Sequence, residues 1–99
     1  MFQSITLKEA KELIENNREH DGFVVLDVRT KEELQHGVLG KPLNIDISEP
    51  DFVEKIQKLD KEKTYLVYCR SGNRSKMAAS LMKKLGFRNI YEIDEGIFG

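Results

Sequence analysis

The chain has 99 residues, of which 39% are hydrophobic and 33% are charged. This length and composition predict one globular domain over residues 1–99. No run approaches the about 20 apolar residues of a membrane helix, and the first residues lack the pattern of a secretory signal. One cysteine cannot form an internal disulfide, so we expect a reducing, cytoplasmic location. One cysteine and two scattered histidines give no zinc cluster, and we expect neither a metal nor another cofactor.

The N-terminal part predicts a helix followed by a strand. Residues 6–9 (TLKE) have the spacing of a capping box, and apolar residues then recur at helical intervals up to Ile14. The pair Asn16 and Asn17 predicts the end of this helix. Residues 23–26 (FVVL) form a continuous apolar run with β-branched residues, which is typical of a strand buried on both faces.

The middle of the chain predicts two further helices with a short strand between them. Residues 30–33 (TKEE) form a second capping box, which opens a short helix that stops near Gly37. Residues 43–45 (LNI) indicate a short strand, and residues 48–51 (SEPD) repeat the cap pattern. The helix that follows is predicted to be lined by Phe52, Val53, Ile56 and Leu59.

The C-terminal third predicts a strand, a long helix and a last strand. Residues 64–68 (TYLVY) indicate the first strand and residues 89–93 the second. Residues 75–85 predict the helix, and Gly86 suits the position after its C-cap. The apolar face of that helix is predicted to consist of Ala78, Leu81, Met82 and Leu85. Strands alternate with helices throughout, so we predict an α/β fold with a parallel sheet covered on both faces.

Positive charge is concentrated around the single cysteine. The acidic residues outside residues 1–62 are Glu92, Asp94 and Glu95, so Cys69 lies in an acid-free, basic stretch. The basic residues nearest to it along the chain are Arg70, Arg74 and Lys76. Because the overall pI is below neutral, we expect no nucleic acid as partner. Because no apolar run is long enough for a membrane helix, we expect no membrane as partner either.

The segment 69–75 (CRSGNRS) lies between a predicted strand and a predicted helix, which is where parallel sheets bind ligands. Gly72 allows this loop to curl so that several amides point inward, and the helix N-terminus adds partial positive charge. Taken singly, the residues also fit a buried small side chain, a turn and an N-cap at Ser75. A cysteine thiol has a pKa of about 8.5 that falls in such surroundings, so we predict that Cys69 is a thiolate near neutral pH.

Four motifs resemble those of rhodanese-type sulfurtransferase domains. They are residues 27–29 (DVR) followed by Glu33 and Gly37, residues 43–45, residues 68–75 (YCRSGNRS) and residues 95–97 (EGI). The loop matches almost letter for letter. The chain departs from the family at Val38, where many members have a histidine, and at Phe98, near a common tryptophan. The resemblance implies a three-layer α/β/α fold with a central, mostly parallel five-stranded sheet.

The resemblance also implies an activity of the thiosulfate sulfurtransferase type. Sulfur would move from thiosulfate or a persulfide donor to catalytic Cys69, and then as a persulfide sulfur to cyanide in an assay or to a cellular thiol. A protein that carries a persulfide is a further candidate partner. The implied substrate-binding residues are Arg70, Ser71, Gly72, Asn73, Arg74 and Ser75. Asp27 and Arg29 are expected to form a structural ion pair near the site. Arg74 could touch substrate or brace the loop by pairing with an acid, and both alternatives stay open at this point.

Two other functions also stay open. One is a non-catalytic module of the same fold that docks partners, although such modules commonly lose the cysteine that this chain retains. The other is a cysteine-dependent phosphatase or arsenate reductase. Phosphatases that resemble this fold place five residues between cysteine and arginine, whereas four separate Cys69 from Arg74. The shorter loop favours sulfur over phosphate.

Overall fold

The computed structural model describes residues 1–97. Phe98, which stands near the family's tryptophan, lies outside the described residues. The elements within them are β1 (Phe2–Ile5), α1 (Leu7–Asn16), β2 (Phe23–Asp27), α2 (Lys31–Leu34), β3 (Leu43–Asn44), α3 (Phe52–Gln57), β4 (Thr64–Tyr68), α4 (Asn73–Lys84) and β5 (Asn89–Ile93).

The five strands form one parallel sheet in the order β1-β5-β4-β2-β3. One face of the sheet packs against α3 and α4, through a cluster that includes Val67, Ile56 and Met82. The opposite face packs against α1, through a cluster that includes Leu66 and Ala10. The three-layer α/β/α arrangement with a central five-stranded sheet is therefore confirmed.

Strand β1 was not predicted from the sequence pattern. Only Ile5 of its four residues is buried, because β1 is an edge strand that pairs with β5 alone. An edge strand with one buried residue leaves no apolar run or alternation to read. The other four strands lie where they were predicted, and both capping boxes, at Thr6 and at Thr30, are formed.

The third helix differs in three respects from its prediction. The N-cap position belongs to Asp51, which makes no capping bond, and the hydroxyl of Ser48 instead donates to Asp46 Oδ1 at 2.7 Å. Val53 is 44% exposed and does not line the core. Leu59 lies beyond the end of the helix, in the following turn. The prediction that residues 48–51 cap this helix with a serine was wrong, because Ser48 bonds within its own turn.

The fourth helix begins earlier than predicted, at Asn73 instead of Ser75. Its N-cap is Gly72, whose φ of +99° is a left-handed conformation that suits glycine. Ser75 therefore lies inside the first turn, with its side chain buried toward the loop and not used as a cap. At the other end, Gly86 has a φ of +96° after the C-cap Leu85, as the sequence predicted.

No helix in the described part of the chain is long and apolar enough to cross a membrane. Within residues 1–97, no group of three or more histidine, cysteine, aspartate and glutamate side chains is placed to hold a metal ion.

Candidate active site

Cys69 directly follows the central strand of the sheet. Strand β4 lies between β5 and β2, and the chain then turns through residues 69–72 into α4. The cysteine is 1% exposed, at the point where the first turn of α4 meets the carboxyl edge of the sheet. The sequence argument placed the loop at this edge, and the fold brings the N-terminus of α4 over the sulfur.

Two backbone amides point at the sulfur of Cys69. The amide of Gly72 donates to Sγ at 3.1 Å, and the amide of Ser75 donates to Sγ at 3.3 Å. The Ser75 hydroxyl lies 3.5 Å from Sγ and donates to the carbonyl of Gly72 at 3.1 Å. In the neutral form the thiol can therefore donate to Ser75 Oγ. A hydroxyl has one hydrogen, so in the ionised form Ser75 can turn that hydrogen from the carbonyl to the sulfur.

These donors lower the pKa of the Cys69 thiol despite its burial. Burial is the largest single effect and raises the pKa, because it disfavours the charged form. Hydrogen bonds from the Ser75 hydroxyl and amide, with the amides of Gly72 and Ser71, oppose it and bring the pKa below its ordinary value. The direction agrees with the predicted thiolate.

The sulfur of Cys69 is closed off from solvent although the loop around it is exposed. Cys69 exposes 1% of its surface, although the loop residues Arg70, Ser71 and Asn73 are all exposed. The amides surround the sulfur as an anion cradle requires, so the site is formed but closed.

Arg74 braces the loop. Its Nη1 and Nη2 donate to the two carboxylate oxygens of Glu33 at 2.6 and 2.7 Å, which ties α4 to α2. The Arg74 hydrogen bond is the main cause that lowers the pKa of Glu33 from 4.5 to about 2. Of the two alternatives that the sequence left open for Arg74, the contact present in the structure is the one with an acid, and Glu33 balances the charge of the guanidinium.

The segment after β5 supports the loop from the opposite side. The amide of Ile97 donates to the carbonyl of Cys69 at 3.2 Å. A Cβ on Gly96 would lie 2.2 Å from the carbonyl oxygen of Arg70, so the close approach requires glycine. A Cβ on Gly72 would likewise lie 2.2 Å from the carbonyl oxygen of Asp94. The motif at residues 95–97 therefore acts by direct contact with the loop.

The ion pair expected between Asp27 and Arg29 is present and buried. Nη2 of Arg29 lies 2.8 Å from Asp27 Oδ2, and Nε donates to both carboxylate oxygens at 3.1 Å. The same guanidinium donates to the carbonyl of Gly37 at 2.7 Å and lies 5.5 Å from the ring centroid of Tyr68. The ion pair thus packs against Tyr68, the residue that precedes Cys69. Within the part of the chain that the structure describes, neither Asp27 nor Arg29 donates a hydrogen bond to the sulfur.

Sequence reasoning overlooked two supporting residues. Glu33 was recognised only as part of a motif and a capping box, and its contact with Arg74 joins positions 41 residues apart. Lys76 was noted for its charge alone, and it contacts Asp94, 18 residues away. An arginine that follows a cysteine loop signals that some acid will pair with it, but the pattern does not say which one.

Two larger surface depressions lie away from this loop. One of about 730 Å³ is lined by residues around Phe2, Lys83 and Asn89, and one of about 670 Å³ by residues around His20 and Phe23. Both lie at the edge where strands begin. Neither depression is lined by Cys69 or by residues 70–75.

Comparison with known proteins agrees with this geometry. The sequence model of the Rhodanese-like domain family matches residues 6–99. The chain is 34% identical over 89 residues to a protein of Bacillus subtilis (strain 168) named "Putative sulfurtransferase YtwF", covering 90% of this chain and 82% of that protein. A crystal structure of a rhodanese-related protein from Thermoplasma volcanium has a TM-score of 0.75 and 34% identity, over 95% of this chain and 85% of that one.

A further relative is much longer than this chain. The chain is 37% identical over 83 residues to the tRNA uridine(34) hydroxylase of Cytophaga hutchinsonii. That match covers 81% of this chain but only 27% of the relative, so it concerns one part of a larger protein. The family match across nearly the whole length and the matching fold lead to one conclusion: this chain belongs to the rhodanese-like domain family, whose members include sulfurtransferases.

Proposed function

We propose that this chain is a sulfurtransferase that carries a sulfane sulfur as a persulfide on Cys69. The observation that supports this most is the pair of amides, from Gly72 and Ser75, directed at one buried sulfur. Such a cradle stabilises a small anion without a metal or a general base. A thiolate is the nucleophile that sulfur transfer requires.

The first half of the reaction loads the sulfur. The Cys69 thiolate attacks the outer sulfur of thiosulfate, a new S–S bond forms, and the S–S bond of thiosulfate breaks. Sulfite leaves with the electron pair, and the negative charge stays on the outer sulfur of the persulfide. A persulfide donor reacts in the same way and releases its thiolate. The inward amides then hold the persulfide charge as they held that of the thiolate.

The second half unloads the sulfur. A thiophile, cyanide in an assay or a thiolate in the cell, attacks the outer sulfur and forms the new bond. The S–S bond of the persulfide breaks, and Cys69 leaves as the thiolate. The cradle that lowers the pKa of Cys69 also makes it a good leaving group, since a stabilised thiolate leaves more easily.

Arg70 is the residue suited to attract an anionic donor. It is exposed next to Cys69, and no ion pair or hydrogen bond of its side chain is present among residues 1–97. Arg74 and Lys76, by contrast, are paired with acids. An unpaired guanidinium at the entrance raises the local concentration of an anion such as thiosulfate. Ser71 and Asn73, also exposed, complete the entrance.

The physiological acceptor is narrowed by chemistry to a thiol or another thiophile. A small thiol and a protein that carries a persulfide both fit an entrance made of exposed loop residues. A thiolate enzyme of this kind requires its cysteine reduced, so we place it in a reducing compartment such as the cytoplasm.

The test is thiocyanate formation from thiosulfate and cyanide by the purified chain and by its Cys69→Ala variant. We expect turnover by the wild-type protein and none by the variant. The circular dichroism spectra of the two proteins should match, because alanine fits the buried site of Cys69. Hydrolysis of p-nitrophenyl phosphate, measured in parallel, tests the phosphatase alternative. Turnover retained by the variant, or phosphate release in place of thiocyanate, would contradict the proposal. A complete lack of both activities would favour a docking module.

A further inference from the structure

Lys76 makes an unusual set of contacts beside the active loop. It lies in the first turn of α4, and its Nζ donates to the carbonyl of Asp94 at 2.7 Å and lies 2.8 Å from Asp94 Oδ1. The same ammonium lies 3.8 Å from Oε2 of Glu92. One side chain of α4 thus contacts two acids at the end of β5. The hydrogen bond with Asp94 is the main cause that raises the pKa of Lys76.

The contact with Glu92 is energetically important because the carboxyl group of Glu92 is buried. Its residue is 1% exposed, and its Oε2 is a buried oxygen without a hydrogen-bond partner among the described residues. The other oxygen, Oε1, accepts from the hydroxyl of Ser4 on β1. A buried carboxyl group with an unpaired oxygen is costly, and the Lys76 ammonium is the cation within ion-pair distance of it. The cost keeps Lys76 at this position.

The position matters because Lys76 and Asp94 enclose Gly72. A Cβ built on Gly72 would lie 3.2 Å from Lys76 Nζ and 2.2 Å from the Asp94 carbonyl oxygen. The backbone amide of Lys76 also donates to the carbonyl of Gly72 at 3.1 Å. The amide of Gly72 points the other way, to the sulfur of Cys69. The side chain of Lys76 thus lies against the residue whose amide donates to the sulfur.

We propose that Lys76 is a positioning residue, anchored by Glu92 and Asp94, which holds the Gly72 amide against the sulfur of Cys69. The inference deepens the proposed sulfur transfer and rests on it for its role in catalysis. Lys76 touches neither donor nor acceptor in this account. It acts through the geometry of one amide and through its positive charge near the sulfur.

Other charges also face the sulfur, and they set the control. Arg74 approaches from α4 and is balanced by Glu33 of α2. Arg70 lies exposed on the loop. From the β5 side, the charged groups are Glu92 and Asp94, which Lys76 contacts, and the exposed Glu95 that follows them. Asp46 interacts electrostatically with Arg74. Amide exchange at Gly72 separates the two modes, because removing a cation that acts only through its charge shifts the pKa of Cys69 without loosening the Gly72 amide.

The experiment measures the rate of Cys69 alkylation by iodoacetamide against pH, together with amide hydrogen exchange at Gly72. For Lys76→Met we expect the midpoint of the alkylation profile to rise by about half a pH unit or more, since a donor and a nearby charge are both weakened. Exchange at Gly72 should become faster. Lys76→Arg keeps a cation that can pair with Asp94, and it should restore both readouts to nearly the original values.

Lys84→Met is the matched control, because Lys84 is an exposed cation on the same helix, two turns further along. It should leave the midpoint and the exchange unchanged. An unchanged midpoint or unchanged exchange in Lys76→Met would overturn the proposal, as would an equal shift in Lys84→Met. Neither readout requires sulfur transfer, so a failure of the proposed function and a failure of this inference give different results.

A second variant covers the case in which Lys76→Met fails to fold. Lys76→Met with Glu92→Gln removes the cation and the buried acid together, so no uncompensated charge remains in the buried position, and the amide oxygen can still accept from Ser4. Asp94 also loses its cation, but its carboxylate is exposed to solvent. We expect this double variant to fold and to show the raised midpoint. A folded double variant with the original midpoint would overturn the positioning role.

Discussion

The active loop is braced on two sides, and the two braces differ in what they hold. On the α2 side, the carboxylate of Glu33 accepts two hydrogen bonds from the guanidinium of Arg74, and both side chains are partly exposed. On the β5 side, Lys76 grips a backbone carbonyl and lies beside the buried carboxyl group of Glu92. The first brace fixes a side chain at the rim. The second brace lies against Gly72, whose amide reaches the sulfur.

The comparison identifies what stabilises the thiolate. In both braces the cation near the cysteine, Arg74 or Lys76, is neutralised by an acid from another segment of the chain. The hydrogen bonds that lower the pKa of Cys69 come from Ser75 and from backbone amides. The cradle therefore depends on oriented dipoles more than on free cations, and its geometry matters more than its net charge.

The largest expected effect comes from filling the space at Gly72. Gly72→Ala adds a Cβ that would lie 2.2 Å from the Asp94 carbonyl oxygen, at a φ of +99°. We expect it to lower the free energy of unfolding by about 3 kcal/mol or more and to abolish sulfur transfer, since backbone must move and the amide turns away. Thermal unfolding and thiocyanate formation measure the two effects.

Gly86→Ala is the matched control for that change. Gly86 has a nearly equal φ of +96°, but a Cβ there meets nothing within 4 Å. The cost should be the conformational strain alone, about 1–2 kcal/mol, with sulfur transfer retained by the folded protein. Equal losses of activity in the two variants would mean that strain, and not contact with the β5 side, governs the loop.

The next effect concerns the α2 brace. Glu33→Gln keeps a side chain that can serve the capping box but removes the charge that pairs with Arg74. After allowance for partial exposure, we expect a loss of about 1–2 kcal/mol in the free energy of unfolding near neutral pH. The pair lowers the pKa of Glu33 from 4.5 to about 2, so this stabilisation is complete above pH 4.5 and is lost as the pH falls toward 2.

Denaturant unfolding at several pH values checks this prediction. The difference between the unchanged chain and Glu33→Gln should be constant above pH 4.5 and should shrink at lower pH. Glu32→Gln removes a charge from an exposed neighbour on the same helix and should cost less. A pH-independent difference for Glu33→Gln would show that its charge does not stabilise the fold through Arg74.

A smaller effect separates the hydroxyl from the amides. Ser75→Ala removes the Ser75 hydroxyl but keeps the amides of Ser75 and Gly72 as donors to the sulfur. We expect the midpoint of the alkylation profile to rise by less than about one pH unit, because one of several donors is lost. The Gly72 carbonyl still accepts from the amide of Lys76. A rise of the midpoint by several pH units would mean that the hydroxyl, and not the amides, is the main donor that stabilises the Cys69 thiolate.

The smallest effect concerns the unpaired cation. Arg70→Gln should raise the KM for thiosulfate by about threefold to tenfold, with kcat little changed, because the guanidinium attracts the donor but holds no part of the loop. The increase should diminish at high salt, where such attraction is screened. A loss confined to kcat would place Arg70 in the reacting arrangement and not at the entrance.

Much of the fold follows from local sequence. The apolar runs at β2 and β4 and the capping boxes at Thr6 and Thr30 determine elements without help from distant residues. The cysteine loop was also recognisable, since its chemistry lies in consecutive positions. Strand β1 was not predicted, because three of its four residues are exposed and leave no apolar pattern. The start of α4 escaped because Gly72, not Ser75, takes the cap position.

The braces could not be found from local sequence. Glu92 sits in an ordinary strand pattern, and nothing in residues 89–93 predicts that its side chain is buried beside Lys76. The partner of Arg74 could have been any of several acids until the fold brought α2 to the loop. Contacts between segments far apart in sequence depend on sheet order, which local patterns do not encode.

The central claim is that the amide cradle at Cys69 holds a transferred sulfur. Intact-mass spectrometry after incubation with thiosulfate tests it most directly, with Cys69→Ala as control. We predict that the chain gains the mass of one sulfur atom, that cyanide removes it, and that the Cys69→Ala variant gains nothing. A chain with a free, intact thiol that takes up no sulfur from thiosulfate or from a small-molecule persulfide would contradict the claim.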